Sequence, residues 1–265
     1  MNGERGNSSS EKSGRRPRTL VTGAALRVGL ATALEFASRG HAIVLAVRRI
    51  DDRSQAALLA VQQAARAAGH ADAPIEVHAA DLDDVVAVQA LGVAVAQGPL
   101  DVVVHCAARY RAQPIGSIEP DQALSDYRVN ALAPLLLTQA LAPRLAKSIL
   151  PAGGAVVCFT DMHVEGRLYS SHAAYFASKG AVSALVQAMA VELAPLVRVN
   201  GIAPGVVAWP EGADEEFKKR YIAKTPLGRA GSPDEAAKCA AWLALDASFL
   251  TGVVIRLDGG RWLKG

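Results

Sequence analysis

From Thr19 onward the chain alternates short β-branched runs with longer Ala- and Leu-rich stretches, and this rhythm restricts the fold more than any other feature. TLVT is followed by a helical stretch from Leu26 to Arg39, HAIVLAV by one from Gln55 to Ala68, and PIEVHA by one from Asp83 to Gln97. DVVVHCA precedes a long helix around Asp121 to Lys147 and GAVVCFT a helix from Ala174 to Leu193, while VRVNGIA and VVIRLDGG complete the strands. DVVVHCA and GAVVCFT are continuously apolar, as strands are when helices cover both faces of a sheet. The expectation is an α/β fold: a single doubly wound, Rossmann-type domain with a seven-stranded parallel sheet, binding its ligands beyond the strand C-termini.

A length of 265 residues suits one large core, and 51% apolar with 20% charged residues is ordinary for a folded domain. The net charge of +3 owes much to Arg5, Lys12, Arg15, Arg16 and Arg18, which face only Glu4 and Glu11. The remainder is near neutral, so nucleic acid is not an expected partner. Residues 1–17 read as a disordered N-terminal tail and 18–265 as the domain. The longest apolar stretch, Val129 to Pro143, is too short to span a bilayer and is broken by Pro134, so no membrane partner is expected either. Cys106, Cys158 and Cys239 show no CxxC or Cys/His ligand spacing, which points to reduced thiols, no metal site and a cytoplasmic protein. The irregular stretch Pro204 to Lys224 is either a lid, with a substrate loop at about 205–224, or a plain surface connection.

Gly23 and Gly29 bracket the turn TGAALRVG that leads from the first strand into a helix. Such a turn brings backbone close to a pyrophosphate, whose charge the free N–H groups of the helix start favour, with Arg27 and Val28 beside it. The glycines are six apart rather than in GxGxxG spacing, and Arg27 stands where a small residue is common; an ordinary tight turn is the alternative. The second strand ends in Arg48 and Arg49 instead of a carboxylate, which suits a ribose 2′-phosphate and favours NADPH over NADH, unless Asp51 and Asp52 pair with those arginines. Asp81 and Leu82 follow the third strand where an adenine would lie; Asp81 could equally be a helix N-cap.

Tyr175 and Lys179 are four apart near the start of a helix and share one face. An ammonium there would lower the tyrosine pKa toward acid/base range, although an exposed helix pair has the same spacing. The pair follows a strand ending at Asp161, and Asn130 lies in the preceding long helix.

With TGAALRVG, Asp81, HCAA, Asn130, YFASK, NGIAPGVV and DGG in this order, the chain from Arg18 resembles the short-chain dehydrogenase/reductase family. The resemblance implies that Tyr175 exchanges a proton with substrate, that Lys179 holds the nicotinamide ribose and tunes Tyr175, and that Asn130 supports a water relay. It places Ala107 against the cofactor and Pro204, Gly205 and Val207 along the nicotinamide, and it implies a homotetramer. Two departures stand out. HCAA replaces the usual NNAG, and a His105–Cys106 dyad is disfavoured because adjacent strand residues point to opposite faces. Asp161 stands where the family has a substrate-orienting Ser; an ionised Asp only accepts, so it suits a heterocycle with N–H groups rather than a ketone oxygen. The alternative is that Asp161 caps or pairs locally, with Thr160, Ser170 or Ser171 orienting the substrate.

Asp161, Arg27 and Tyr110 just beyond strand four, together with AARYRAQPIG, FTDMH and APGVVAWPEG, resemble the pteridine reductases and the related dihydromonapterin reductases. That resemblance implies Tyr110 stacked on a pterin ring, Arg27 reaching phosphate and pterin, and Asp161 and Tyr175 contacting substrate, although Ala108 stands where those enzymes often have Ser. The activity it implies is NADPH-dependent reduction of a dihydropterin, with biopterin or dihydrofolate as further pterin or folate substrates. A 3-oxoacyl thioester or sugar-ketone reductase is the alternative, and a non-catalytic NADP-sensing regulator a third.

Overall fold

The structure is a computed structural model that describes residues 14–210 and 212–264. Most of the expected tail, residues 1–13, lies outside the described residues. Arg15, Arg16 and Pro17 belong to the domain, which therefore begins before residue 18. Arg15 grips the fully buried Asp101 with both terminal nitrogens, at 2.6 and 2.9 Å, and Arg16 pairs with Asp72 at 2.5 Å. The Pro17 carbonyl accepts from Ala42 N at 2.8 Å. A buried carboxylate needs a cation and donors, and Asp101 takes its cation from this segment.

The strands are β1 (Arg18–Thr22), β2 (Ala42–Val47), β3 (Ile75–Ala79), β4 (Val102–His105), β5 (Gly154–Phe159), β6 (Val197–Pro204) and β7 (Val254–Leu257). All seven lie parallel in the order β3-β2-β1-β4-β5-β6-β7. The order reverses between β1 and β4, so the loops after these strands part and leave a crevice at their C-terminal ends.

Helices α1 (Arg27–Ser38), α2 (Asp52–Ala67), α3 (Val85–Val95), α4 (Pro120–Tyr127), α5 (Ala133–Leu145), α6 (Ala173–Leu193), α7 (Glu215–Ala223) and α8 (Pro233–Leu245) cover the sheet. One face is sealed around Phe36, Val61, Ala240 and Leu243, the other around Leu91, Leu137, Leu141, Val186 and Met189. Leu137 and Leu141 are fully buried, so truncating either to Ala should cost about 2–5 kcal/mol. Among the described residues no helix is long and apolar enough to cross a membrane.

Three elements differ from the sequence expectation. The helix expected over Asp121 to Lys147 is divided: a π-helical turn, Arg128–Leu132, separates α4 from α5. Pro134 has no N–H to give to the carbonyl four residues back, which is that of Asn130, so regular bonding lapses at that point. The stretch expected to be irregular, Pro204 to Lys224, contains α7, capped by Asp214, which accepts from Phe217 N at 2.6 Å. Finally, α2 starts earlier than Gln55, because Asp51 and Ser54 form a reciprocal capping box.

Candidate active site

The β1–α1 turn is positioned by backbone packing. Gly23 has φ +66°, and a Cβ there would stand 2.9 Å from Ala107 Cα. Thr22 Oγ1 accepts from the N–H groups of Cys106 and Ala107, both at 3.2 Å, which ties the turn to the end of β4. A Cβ on Gly29 would fall 2.1 Å from Gly23 O, so α1 can sit this close only with glycine there. Arg27 has φ +51°, the left-handed region that costs a non-glycine residue about 1–2 kcal/mol. The start of α1 has no side-chain cap because its N-cap residue is Leu26. Its first N–H groups are left for an anion.

Beyond this turn opens a cleft of about 500 Å³. Its lining includes Gly23, Arg27, Val28 and Gly29 of the turn and helix start, Arg48, Asp81 and Leu82 past β2 and β3, and Ala107, Tyr110, Gly205 and Val207 past β4 and β6. The structure thus unites most of the expected cofactor residues. A glycine turn with no room for a Cβ, an uncapped helix start and an exposed guanidinium at the end of β2 fit an adenine dinucleotide. Arg49, Lys179 and Pro204 do not line the cleft, and Arg49 Nε donates to Asp51 at 3.0 Å, the pairing that was the alternative reading. Arg48 Nε lies 3.8 Å from Asp81 Oδ2. Asp81 accepts from Asp83 N at 3.1 Å, while the cap of α3 is Asp84. Pro204 ends β6 just outside the lining, and the loop after it is pinned by Tyr221, whose Oη accepts from Val206 N at 2.7 Å.

The proton-handling residues lie deeper and do not line the cleft. Tyr175 Oη donates to Asp161 Oδ2 at 2.8 Å. Asp161 Oδ1 accepts from the His163 N–H at 2.8 Å and lies 2.9 Å from His163 Nδ1. Burial pushes the Asp161 carboxyl up, but the His163 and Tyr175 hydrogen bonds outweigh it and hold the group below the usual carboxylate range. Lys179 Nζ donates to the Phe159 carbonyl at 2.7 Å, and burial lowers its pKa to about 8. The expectation that Lys179 lowers the Tyr175 pKa is not met: burial first, and the Asp161 charge second, raise it well above 10. The phenol keeps its proton.

Asp161 therefore caps the turn Met162–Glu165 and pairs with Tyr175. Thr160 is not free to orient a substrate, since its hydroxyl is buried and donates to Ile202 O at 3.2 Å. Asn130 Oδ1 accepts from Arg109 N at 2.7 Å, and its Nδ2 donates to Arg109 O and to Ser178 Oγ at 2.9 and 2.8 Å. It fastens the loop after β4 to α6. Arg109 in turn pairs with Asp83 at 2.6 Å and contacts Ser125. His105 and Cys106 face opposite sides, toward Thr138 of α5 and Thr32 of α1. Burial lowers the His105 pKa to about 3 and raises the Cys106 thiol to about 12, so the two make no nucleophilic dyad.

Tyr110, half exposed, stands edge-on to Tyr175 with centroids 4.9 Å apart and stacks on His172 at 4.7 Å. Its hydroxyl meets that of Tyr169 at 3.1 Å. Sequence reasoning missed His163, Tyr169 and His172, which complete this aromatic wall. The only signal for them was ring-bearing residues crowded between Asp161 and Tyr175 in a stretch without strong periodicity.

Three comparisons bear on this geometry. A family model described as enoyl-(acyl carrier protein) reductase matches residues 23–261. An uncharacterized oxidoreductase of Methylorubrum extorquens is 35% identical over 91% of this chain and 96% of its own length, and a dihydromonapterin reductase of Citrobacter koseri is 30% identical over 92% and 96%. Among solved structures, a short-chain type dehydrogenase/reductase from Mycobacterium ulcerans superposes with a TM-score of 0.83 at 26% identity, covering 94% of this chain and 90% of that one. Acetoin dehydrogenase from Salmonella typhimurium gives 0.81 at 25% identity, covering 95% and 98%.

Proposed function

The chain belongs to the short-chain dehydrogenase/reductase family, an oxidoreductase family that uses nicotinamide cofactors, and from that premise we propose that it is an NADPH-dependent pteridine reductase. The observation that carries this reading is the Asp161 carboxylate, an acceptor-only group bonded at 2.8 Å to the tyrosine that donates the proton. A ketone or thioester carbonyl offers such a group nothing to accept. A pterin ring edge, with ring N–H and exocyclic NH₂ groups, does. The similarity to a dihydromonapterin reductase supports the same substrate class.

In this reading the β1–α1 turn, Arg48 and Lys179 hold the cofactor, with Arg48 on the 2′-phosphate, Asp81 and Leu82 beside the adenine and Ala107, Pro204, Gly205 and Val207 along its nicotinamide half. When bound, NADPH supplies the hydride that reduces the ring C=N unit. Tyr175, which stays protonated across the physiological range, donates to the ring nitrogen by turning its hydroxyl from Asp161 toward substrate. Asp161 then accepts from the substrate's N–H groups. Tyr110 leaves its edge-on place over Tyr175 and stacks on the flat ring. Arg27, exposed at the cleft wall, reaches phosphate and pterin, and Asn130 keeps the loop after β4 in place. Dihydropterin to tetrahydropterin is the reaction named, and a homotetramer and a cytoplasmic location belong to the same proposal.

The test is NADPH oxidation with dihydrobiopterin, dihydrofolate and an acetoacetyl thioester offered in parallel. Pterin turnover that exceeds thioester turnover is the expected outcome. Thioester turnover alone would replace the proposal with a ketoreductase.

A further inference from the structure

The two oxygens of Asp161 have different partners. Oδ2 takes the Tyr175 hydroxyl at 2.8 Å, while Oδ1 takes the backbone N–H of His163 at 2.8 Å and its ring Nδ1 at 2.9 Å. The backbone bond alone is what any aspartate makes at the start of a helical turn, here Met162–Glu165. The ring contact is an additional constraint. The terminal torsion of an aspartate is broad and two-fold, so one backbone bond still lets the carboxylate rock. A second donor arriving from the imidazole selects one setting, and in that setting Oδ2 faces Tyr175.

Nδ1 carries the proton in this arrangement, because an ionised carboxylate can only accept. The imidazole is itself held. It stands edge-on to Tyr169, with centroids 5.0 Å apart at 90°, and lies 6.1 Å from Phe176, two residues of the aromatic wall that flanks Tyr175. Its hydrogen bond is also the largest influence opposing burial in keeping Asp161 ionised.

We propose that His163 is a positioning residue, whose ring N–H locks one oxygen of Asp161 so that the other stays aimed at Tyr175 and, on the pteridine reading above on which this part rests, at the substrate's N–H groups. The Asp-x-His step is then one unit: the aspartate meets the chemistry and the histidine sets its angle.

Two substitutions separate this from a packing role. His163→Asn keeps an N–H donor close to the place of Nδ1, and His163→Leu keeps bulk without a donor. With NADPH and dihydrobiopterin, His163→Leu should lower kcat about tenfold to a hundredfold with KM for NADPH unchanged, and His163→Asn should recover most of the loss. Wild-type kcat in His163→Leu, or equal losses in both variants, would overturn the inference. A readout independent of substrate is the proton NMR spectrum of the unliganded protein, in which the His163 ring N–H should give a downfield resonance that disappears in His163→Leu and moves in Asp161→Asn. A wild-type spectrum without it overturns the inference even if pterins are reduced. The resonance present without pterin turnover upholds the role of His163 and overturns only the substrate reading.

Discussion

At the cofactor end of the site the decisive positions are set by backbone: Gly23 lies against Ala107, Gly29 against the Gly23 carbonyl, and the start of α1 is left uncapped. At the proton-handling end they are set by a chain of side chains, from Tyr110 and Tyr169 through His163 and Asp161 to Tyr175. Backbone approach tolerates almost no change in residue size but is indifferent to which substrate is reduced. A side-chain network tolerates changes in size and is sensitive to donors and acceptors. On the proposed reading, the first end serves the cofactor whatever is reduced, and the second, through Asp161, distinguishes one substrate from another.

The sharpest way to break this comparison is Tyr175→Phe. Removing the donated proton should lower kcat by roughly 10² to 10⁴-fold while NADPH affinity, followed by fluorescence titration, stays within about twofold. A comparable loss of cofactor binding would mean that the two ends are not separable. Gly23→Val tests the other end: a side chain in left-handed backbone, pressed on Ala107, should cost roughly 1–3 kcal/mol in stability and at least about tenfold in NADPH affinity. Arg48→Glu should raise KM for NADPH about tenfold and narrow the preference over NADH, with KM for dihydropterin unchanged. If Arg49→Glu has the larger effect, the Arg49–Asp51 pair opens on binding and the assignment of the 2′-phosphate moves to Arg49.

A separate effect, away from the site, is on acid stability. Burial lowers the pKa of His41 to about 4 and of His105 to about 3, so the unfolded chain takes up these protons near 6.5, before the folded one can. Stability from both is complete above 6.5 and falls as pH drops toward 4, by about 1 kcal/mol per pH unit for each histidine. Denaturant melts at pH 7 and pH 5 should show this slope, and His105→Gln should halve it.

The parallel sheet was readable because its central strands, β4 and β5 above all, are apolar on both faces and its helices long, so the two periods do not overlap. Gly23, Arg48, Asp81, Asp161 and Tyr175 were readable because each sits just past a strand or at a helix start, where spacing alone fixes location. What could not be read depends on contacts between separated segments. Arg15 meets Asp101 across 86 positions, and Asn130 meets Ser178 across 48. The direction of the Tyr175 pKa was misjudged for the same reason: Lys179 is its neighbour along the helix, but burial and Asp161, from another element, decide the outcome. His163 and Tyr169 lie in a loop whose conformation no periodicity specifies.

The central claim is that Asp161, as an acceptor-only group beside Tyr175, selects a substrate with N–H groups. It is tested most directly by measuring kcat/KM for dihydrobiopterin and for an acetoacetyl thioester in the wild type and in Asp161→Ser. The account predicts that this one substitution lowers pterin reduction about a hundredfold while thioester reduction holds or rises, because a hydroxyl can donate to a carbonyl where a carboxylate cannot. If the ratio of the two substrates is the same in both proteins, Asp161 does not select the substrate and the account is wrong.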